Sequence, residues 1–450
     1  MPPRRSSLPP PFSAARVLNS QRRPHARSAA KSARNRGLGA FPHEFHSLYY
    51  YCGLYLFLEK RYSNAVAAST PVAEPRGIQE MEFTVSKADL LRELSLTQGV
   101  VERKTTIPIL ANILCEAKGS RLAITATDLE LTICTSCAAK IKKDGAGTIS
   151  AKKLLEIIRL LPDSDIRFKL LENHWVQITS DKRNYKMVGM AKENFPALPA
   201  MPHVFARLPA ALIADMIGKT YFAISMEESR YTLNGAKLIL KPDSIALVAT
   251  DGHRLALIEA TQKVDGLNAE AGVLVPKKAM NELKTLAAEA GDDAQIEFAQ
   301  DESNLFFRVG ERQLISRKLT GQFPNYEAVL PRDNTKTVGI DRDELADALR
   351  RVSQLADQRS QAVKVTLSKE GVEISASSPE YGEARELIER EYKGADISIG
   401  FNAKYMLDFL AAAPQGPITL ELKDEQSAGQ MRPTGEEGTR YRYVIMPMRI

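Results

Sequence analysis

Four short landmarks recur three times, in the same order, about every 122–133 residues, and this repeat constrains the fold more than any other feature. Phe83-Thr-Val-Ser-Lys-Ala-Asp-Leu90 aligns with Phe205-Ala-Arg-Leu-Pro-Ala-Ala-Leu212 and Val338-Gly-Ile-Asp-Arg-Asp-Glu-Leu345, each a strand end leading into a helix whose first buried Leu falls at the same offset. Ala126-Thr-Asp-Leu-Glu matches Ala249-Thr-Asp-Gly-His-Arg and, more loosely, Ala376-Ser-Ser-Pro-Glu. Ala151-Lys-Lys-Leu-Leu matches Pro276-Lys-Lys-Ala-Met and Asn402-Ala-Lys-Tyr-Met, while Phe195-Pro196, Phe323-Pro324 and Met446-Pro447 close the units. The period is far too long for a solenoid. It predicts three similar domains, at 81–203, 204–332 and 333–450.

Within each domain, helical spacing alternates with strand spacing. Leu90, Leu91 and Leu94, and Leu154, Leu155, Ile158 and Leu161, recur at i, i+3 and i+4. Arg121-Leu-Ala-Ile-Thr-Ala, Trp175-Val-Gln-Ile-Thr and Ile245-Ala-Leu-Val-Ala alternate, and turn signals such as Lys118-Gly119 and Asp144-Gly145 separate such segments. Two helices and about eight strands per domain make an α+β unit, with helices packed on one face of antiparallel sheets. Each domain reads as a doubled half-unit, giving six helices per chain.

Charge divides the chain. Residues 1–80 carry 12 Lys/Arg against 4 Asp/Glu, and the remaining 370 carry 49 against 51. Nucleic-acid binding by the body must therefore come from charge placement. Residues 1–43 hold no acid and no sustained periodicity. Three readings of the 1–80 extension stand: an upstream translation artefact ahead of Met81, a disordered basic tail, or an organelle-targeting segment. Four Cys in 450 residues cannot form a disulfide framework, which suggests a reducing compartment. The longest apolar run, Leu48–Leu58, is 11 residues, short of the roughly 20 that a membrane helix needs.

From Met81 to Ile450 the chain resembles the bacterial β sliding clamp family. The residues that carry this are Thr106-Ile-Pro-Ile-Leu-Ala-Asn, Ala126-Thr-Asp-Leu-Glu, Tyr231-Thr-Leu-Asn-Gly, Ala249-Thr-Asp-Gly-His-Arg-Leu, Phe323-Pro-Asn-Tyr and Tyr443-Val-Ile-Met-Pro-Met-Arg-Ile. The resemblance implies a non-catalytic, cytoplasmic processivity factor of the replicative polymerase: a head-to-tail homodimeric ring around duplex DNA, loaded by an ATP-driven partner. Helix geometry agrees with two copies. Six helices about 10 Å apart give a circle about 19 Å across their axes, too small for a duplex roughly 20 Å wide. Twelve leave a hole of about 28 Å.

A ring that slides needs contacts to phosphates and none to bases. Candidate pore-facing groups are Lys104, Lys152, Lys153, Arg159, Lys219, Arg230, Lys277, Lys278, Arg350 and Lys404, with Tyr231 beside Arg230 where the family touches DNA. The resemblance also implies a hydrophobic cleft for short partner peptides from the polymerase, the loader and repair proteins. Its lining would be Leu233, Thr250, Gly252, His253, Arg254, Leu255, Pro324, Val329, Tyr405, Val444, Met446, Pro447, Met448 and Arg449. Unbranched Met446 and Met448 suit varied apolar anchors, and His253 and Arg254 would supply a polar rim.

Other motifs carry less. Gly218-Lys219-Thr220 lacks the upstream Gly of a phosphate loop, that place being Ile213. Cys134 and Cys137 lie in an alternating segment with no second ligand pair, so buried thiols are expected and no metal or cofactor. Trp175 is expected in the core. Two readings from other classes compete: a hydrolase or phosphoryl-transfer enzyme centred on Asp251 and His253, and a monomeric three-domain scaffold.

Overall fold

The computed structural model describes residues 80–101, 106–435 and 438–449. The extension before residue 80, with its apolar run, and Lys104 lie outside the described residues.

Each repeat is two half-units of the form strand, helix, three strands. Repeat one comprises β1 (Glu82–Ser86), α1 (Lys87–Leu96), β2 (Asn112–Lys118), β3 (Arg121–Thr127) and β4 (Leu131–Ala138). A short strand β5 (Lys140–Lys143) precedes its second half: β6 (Gly145–Ser150), α2 (Ala151–Leu160), β7 (Asp165–Leu170), β8 (Trp175–Ser180) and β9 (Arg183–Val188). Repeat two runs β10 (Ala206–Pro209), α3 (Ala210–Thr220), β11 (Gly235–Lys241), β12 (Ser244–Thr250), β13 (Arg254–Thr261), then β14 (Ala271–Pro276), α4 (Lys277–Glu289), β15 (Gln295–Gln300), β16 (Asn304–Val309) and β17 (Arg312–Arg317). Repeat three begins β18 (Lys336–Asp341), α5 (Arg342–Val352), β19 (Ala362–Ser368), β20 (Gly371–Ser378), β21 (Gly382–Ile388). It ends β22 (Ile397–Asn402), α6 (Ala403–Ala412), β23 (Pro417–Leu422), β24 (Gly429–Pro433) and β25 (Thr439–Ile445).

The halves interlock by exchanging first strands. β1 adds to β7 and β6 to β2, and the same swap joins β10 to β15, β14 to β11, β18 to β23 and β22 to β19. Helices then pack in pairs, α1 with α2, α3 with α4 and α5 with α6. On α2 the buried positions Leu154, Leu155 and Ile158 form one stripe, leaving Lys152, Lys153 and Arg159 exposed opposite it. Side-chain caps start three helices: Ser86 accepts from Asp89 N, Asp341 from Asp343 N and Glu344 N, and Asn402 from Tyr405 N. Pro209 and Pro276 hold the equivalent place before α3 and α4.

Repeats are joined through their sheets. β17 pairs antiparallel with β4, and β25 with β13, so two eight-stranded sheets each span two repeats. By the same rule β9 and β21 are the third strands of halves that lack a neighbour. They are the outer strands of a five-stranded and a four-stranded sheet.

Strand register corrects two of the landmark alignments by one residue. Val85, Leu208 and Ile340 face Ile166, Ile296 and Ile418 in turn, so Pro209, not Leu208, stands with Ser86 and Asp341. Leu212 is accordingly half-buried, and Ile213 occupies the place of Leu90 and Leu345. Ser150, Pro276 and Asn402 likewise correspond, which equates Lys152 with Lys278 and Lys404. Trp175 is not a core residue: it opens β8 at 40% exposure. Cys115 and Cys137 are buried and Cys134 half-buried; burial pushes the first two thiols up to about 12 and about 11. Gly218-Lys219-Thr220 is the last turn of α3.

Candidate functional site: an apolar pocket where repeats two and three meet

The turn between β12 and β13 is built by its own side chains. Asp251 Oδ1 accepts from His253 N (2.9 Å) and Arg254 N (3.0 Å), while Thr250 Oγ1 donates to Arg254 O (2.6 Å) and accepts from Gly252 N (3.1 Å). Gly252 has φ +88, a conformation that glycine takes without steric cost. β25 then runs beside β13, with Leu255 opposite Val444, and Met446 N donates to His253 O (2.9 Å). The segment after β17 lies over this sheet face, where Phe323, Tyr326, Val329 and Leu330 pack with Leu233, Leu255, Leu257 and Val444.

Between these elements is a cavity of about 100 Å³ lined by Leu233, Thr250, Gly252, Arg254, Leu255, Pro324, Tyr326, Val329, Val444 and Met446. The structure thus brings together nine of the fourteen cleft candidates and adds Tyr326. His253, Tyr405, Pro447, Met448 and Arg449 are outside the lining. Met448 N is tied instead to Gly400 O (2.8 Å). Apart from Arg254 and the hydroxyls of Thr250 and Tyr326, the wall is apolar side chain and backbone, suited to an apolar anchor side chain.

Arg254 is not the rim residue that the sequence suggests. Its side chain is 8% exposed and fully engaged. Nε donates to Asp251 Oδ2 (3.0 Å), Nη1 to Asp408 Oδ2 on α6 (2.7 Å) and Nη2 to Phe222 O (2.7 Å). The guanidinium stacks 4.3 Å from the Tyr405 ring centre and 5.4 Å from that of Phe222. Burial alone would lower its pKa; Tyr443, Asp408 and Asp251 outweigh this and raise it. Arg254 therefore pins repeat two to repeat three from behind the pocket wall.

The phosphate candidates fall into distinct settings. Lys152, Lys153 and Arg159 are exposed on α2, with Lys153 near Glu156 (2.8 Å). Arg350 is exposed beside Asp347 (2.6 Å), and Lys404 is exposed with Asp408 at 2.8 Å. Lys278 is ion-paired with the buried Asp128, across the junction between repeats one and two. Arg230 spans Asp251 O (2.9 Å) and Glu227 (2.7 Å), and its neighbour Tyr231 is 73% exposed. Lys219 and Lys277 do not meet the expectation of facing solvent. Lys219 is largely covered, between Asp215 (3.0 Å) and the Tyr441 ring. Lys277 is half-buried over the Tyr221 ring, and burial, then Arg254, lowers its pKa.

The junction between repeats one and two shows why the pocket is where it is. Leu129, φ +77, holds the place of Gly252, and Arg317 that of Met446. Arg317 Nε donates to Leu129 O (3.1 Å), so bulk stands where the other junction is open.

Comparison with known proteins bears on the whole body of the chain. Residues 81–199, 207–325 and 327–449 match, in order, the N-terminal, central and C-terminal domains of the DNA polymerase III beta subunit. The beta sliding clamp of Caulobacter vibrioides is 35% identical over 384 residues, and that of Synechocystis 32% over 391, each covering 82% of this chain and 100% of the relative. The crystal structure of the Pseudomonas aeruginosa DNA polymerase III subunit beta superposes with a TM-score of 0.77 at 31% identity, over 82% of this chain and 100% of that one. With the three α+β repeats, their shared sheets and these matches together, the chain belongs to the bacterial β sliding clamps, the beta subunits of DNA polymerase III.

Proposed function

We propose that two copies close head to tail into a ring that encircles duplex DNA, slides on it, and holds polymerase through a peptide in the apolar pocket. The observation that carries the ring is the pair of unpartnered strands, β9 and β21, together with the register they inherit. At one internal junction Leu314 faces Ile133, and at the other Tyr443 faces Ala256. Following equivalent pairs across each sheet makes Tyr185 the counterpart of Leu314 and Tyr443, and Ala384 that of Ile133 and Ala256. Tyr185 then lies opposite Ala384 of the partner subunit, and the antiparallel strands do the rest. Lys186 faces Glu383 of the partner subunit, Arg183 faces Glu386 of the partner subunit, and Val188 faces Tyr381 of the partner subunit. Two pairs are opposite charges. The third joins side chains that are 61% and 41% exposed in the lone chain.

Two such seams put twelve helices in one ring, wide enough for a duplex. The exposed α2 cations, with Arg350, Lys404, Arg230 and Tyr231, would meet phosphates weakly and without reading bases, so the ring moves along the helix. Polymerase, loader and repair factors would exchange at the pocket through short peptides with Leu or Phe anchors. Tethering acts through effective concentration, since a held polymerase rebinds intramolecularly. The chain itself performs no reaction, works in the cytoplasm and needs a loader to open a seam. The test is retention on DNA. Clamp loaded on a nicked circle should stay, and linearising the circle should release it; equal retention on both overturns enclosure.

A further inference from the structure

The pocket and the helix surface that faces DNA in the proposed ring share a carboxylate. Asp408 on α6 receives Arg254 Nη1 at 2.7 Å and Lys404 Nζ at 2.8 Å, both on Oδ2, with a second Lys404 bond to Oδ1 at 3.0 Å. Arg254 lines the pocket, and Lys404 is a candidate phosphate contact whose side chain is 66% exposed. A second route arrives from the other side. Arg230 donates to the backbone oxygen of Asp251 (2.9 Å), whose carboxylate holds Arg254 Nε (3.0 Å). Two exposed or half-exposed cations therefore end on the two acids that fix one buried guanidinium.

We propose that Asp408 is a positioning residue that couples the two surfaces, so that duplex DNA on α6 tightens peptide binding in the pocket. This rests on the ring-and-pocket reading above. A phosphate that draws Lys404 outward leaves Arg254 as the only cation on Asp408 Oδ2. The Arg254–Asp408 bond strengthens, and with it the joint between the wall from repeat two (Thr250, Gly252, Leu255) and the wall from repeat three (Val444, Met446). A better-ordered pocket binds its anchor with less ordering cost. Linkage makes the effect mutual: peptide must tighten DNA by the same factor. The other internal junction supplies a contrast. There the equivalent lysine, Lys278, pairs directly with Asp128, and Leu129 and Arg317 occupy the pocket's place.

The experiment measures, by fluorescence anisotropy on the full chain in low salt, the Kd of a labelled peptide bearing Leu and Phe anchors, with and without a short duplex. The duplex is expected to lower the peptide Kd about threefold, a modest coupling because Lys404 is solvent-screened. Lys404→Met should bind peptide about threefold tighter without DNA and respond little to it. Asp408→Asn should bind duplex yet show no response in peptide affinity. Peptide binding that ignores a bound duplex in the unaltered protein overturns the coupling alone. Absence of any peptide binding overturns the pocket reading, and this inference with it.

Discussion

Replacing Lys186 by Glu should weaken the dimer about thirtyfold, and Glu383→Lys on the same chain should restore it. The pair is chosen because neither residue has an ion-pair partner among the described residues, whereas Glu386 already holds Arg351 within the subunit. Unlike charges opposed on neighbouring strands are worth about 0.5 kcal/mol, and like charges in the same place cost about as much. Lys186→Glu exchanges one for the other, a loss of about 1 kcal/mol per seam and about 2 kcal/mol for a ring with two seams. At about 1.4 kcal/mol per tenfold, that is the thirtyfold rise in dimer Kd. Sedimentation equilibrium across a dilution series reads it directly, and repetition in high salt should shrink the difference as screening removes both terms. The double variant returns the charges with their places exchanged, so it should associate like the original. A double variant as weak as the single one would refute the register, because the two side chains would not then be opposite each other.

Other outcomes follow from the same geometry. Gly252→Leu copies the residue found at Leu129; it should cost about 1 kcal/mol in denaturant unfolding for its positive φ, and should abolish peptide binding by filling the pocket mouth, where a Cβ would already lie 3.2 Å from Arg230 Nη1. Arg254→Met strands Asp251 and Asp408 together and should lower stability by about 3 kcal/mol in the same assay, whereas Met446→Ala, at an exposed pocket edge, should weaken peptide with little change in unfolding. Glu93 is a buried carboxylate for which burial alone would raise the pKa, but Arg312, Thr135 and Arg92 outweigh it and hold it low. Its stabilising share is complete above the ordinary glutamate range and is lost as pH falls through the lowered value, so Glu93→Gln should flatten that acid limb of a stability–pH curve.

The repeat and the fold class were legible because they rest on local pattern: apolar spacing, turn residues and motifs that recur at one period. Most of the pocket was named through the family resemblance, which short motifs such as Ala249-Thr-Asp-Gly-His-Arg-Leu carry; of its lining only the Thr250–Gly252 turn is built by a few consecutive residues. What escaped depends on distant partners. Arg254 looks like a surface cation beside His253 until Asp408, 154 residues later, arrives to bury it. Lys219 and Lys277 look solvent-facing until Tyr441 and Tyr221 cover them. Trp175 was expected inside for its large apolar ring, but it shares the outward face of its strand with Gln177 and Thr179, opposite buried Val176 and Ile178. Tyr326 follows Phe323-Pro324-Asn325, a readable turn, yet nothing local says that its ring closes a cavity with a strand more than a hundred residues away.

The tie between a turn aspartate and the next repeat's helix lysine has a consequence for where the proposed ring parts. Lys278 reaches Asp128 directly, and Lys404 reaches Asp251 by way of Asp408 and Arg254. At the proposed seam between subunits the corresponding residues are Lys152 and Ser378, and a neutral hydroxyl cannot make that ion pair. Covalent continuity guards the internal joints and the aspartate–lysine tie reinforces them, while the two proposed seams between chains lack both and rest on strand pairing and its opposed charges. Mechanical load from any opening machine would therefore concentrate on a short ladder of strand hydrogen bonds, and the chain arcs on either side would come away whole.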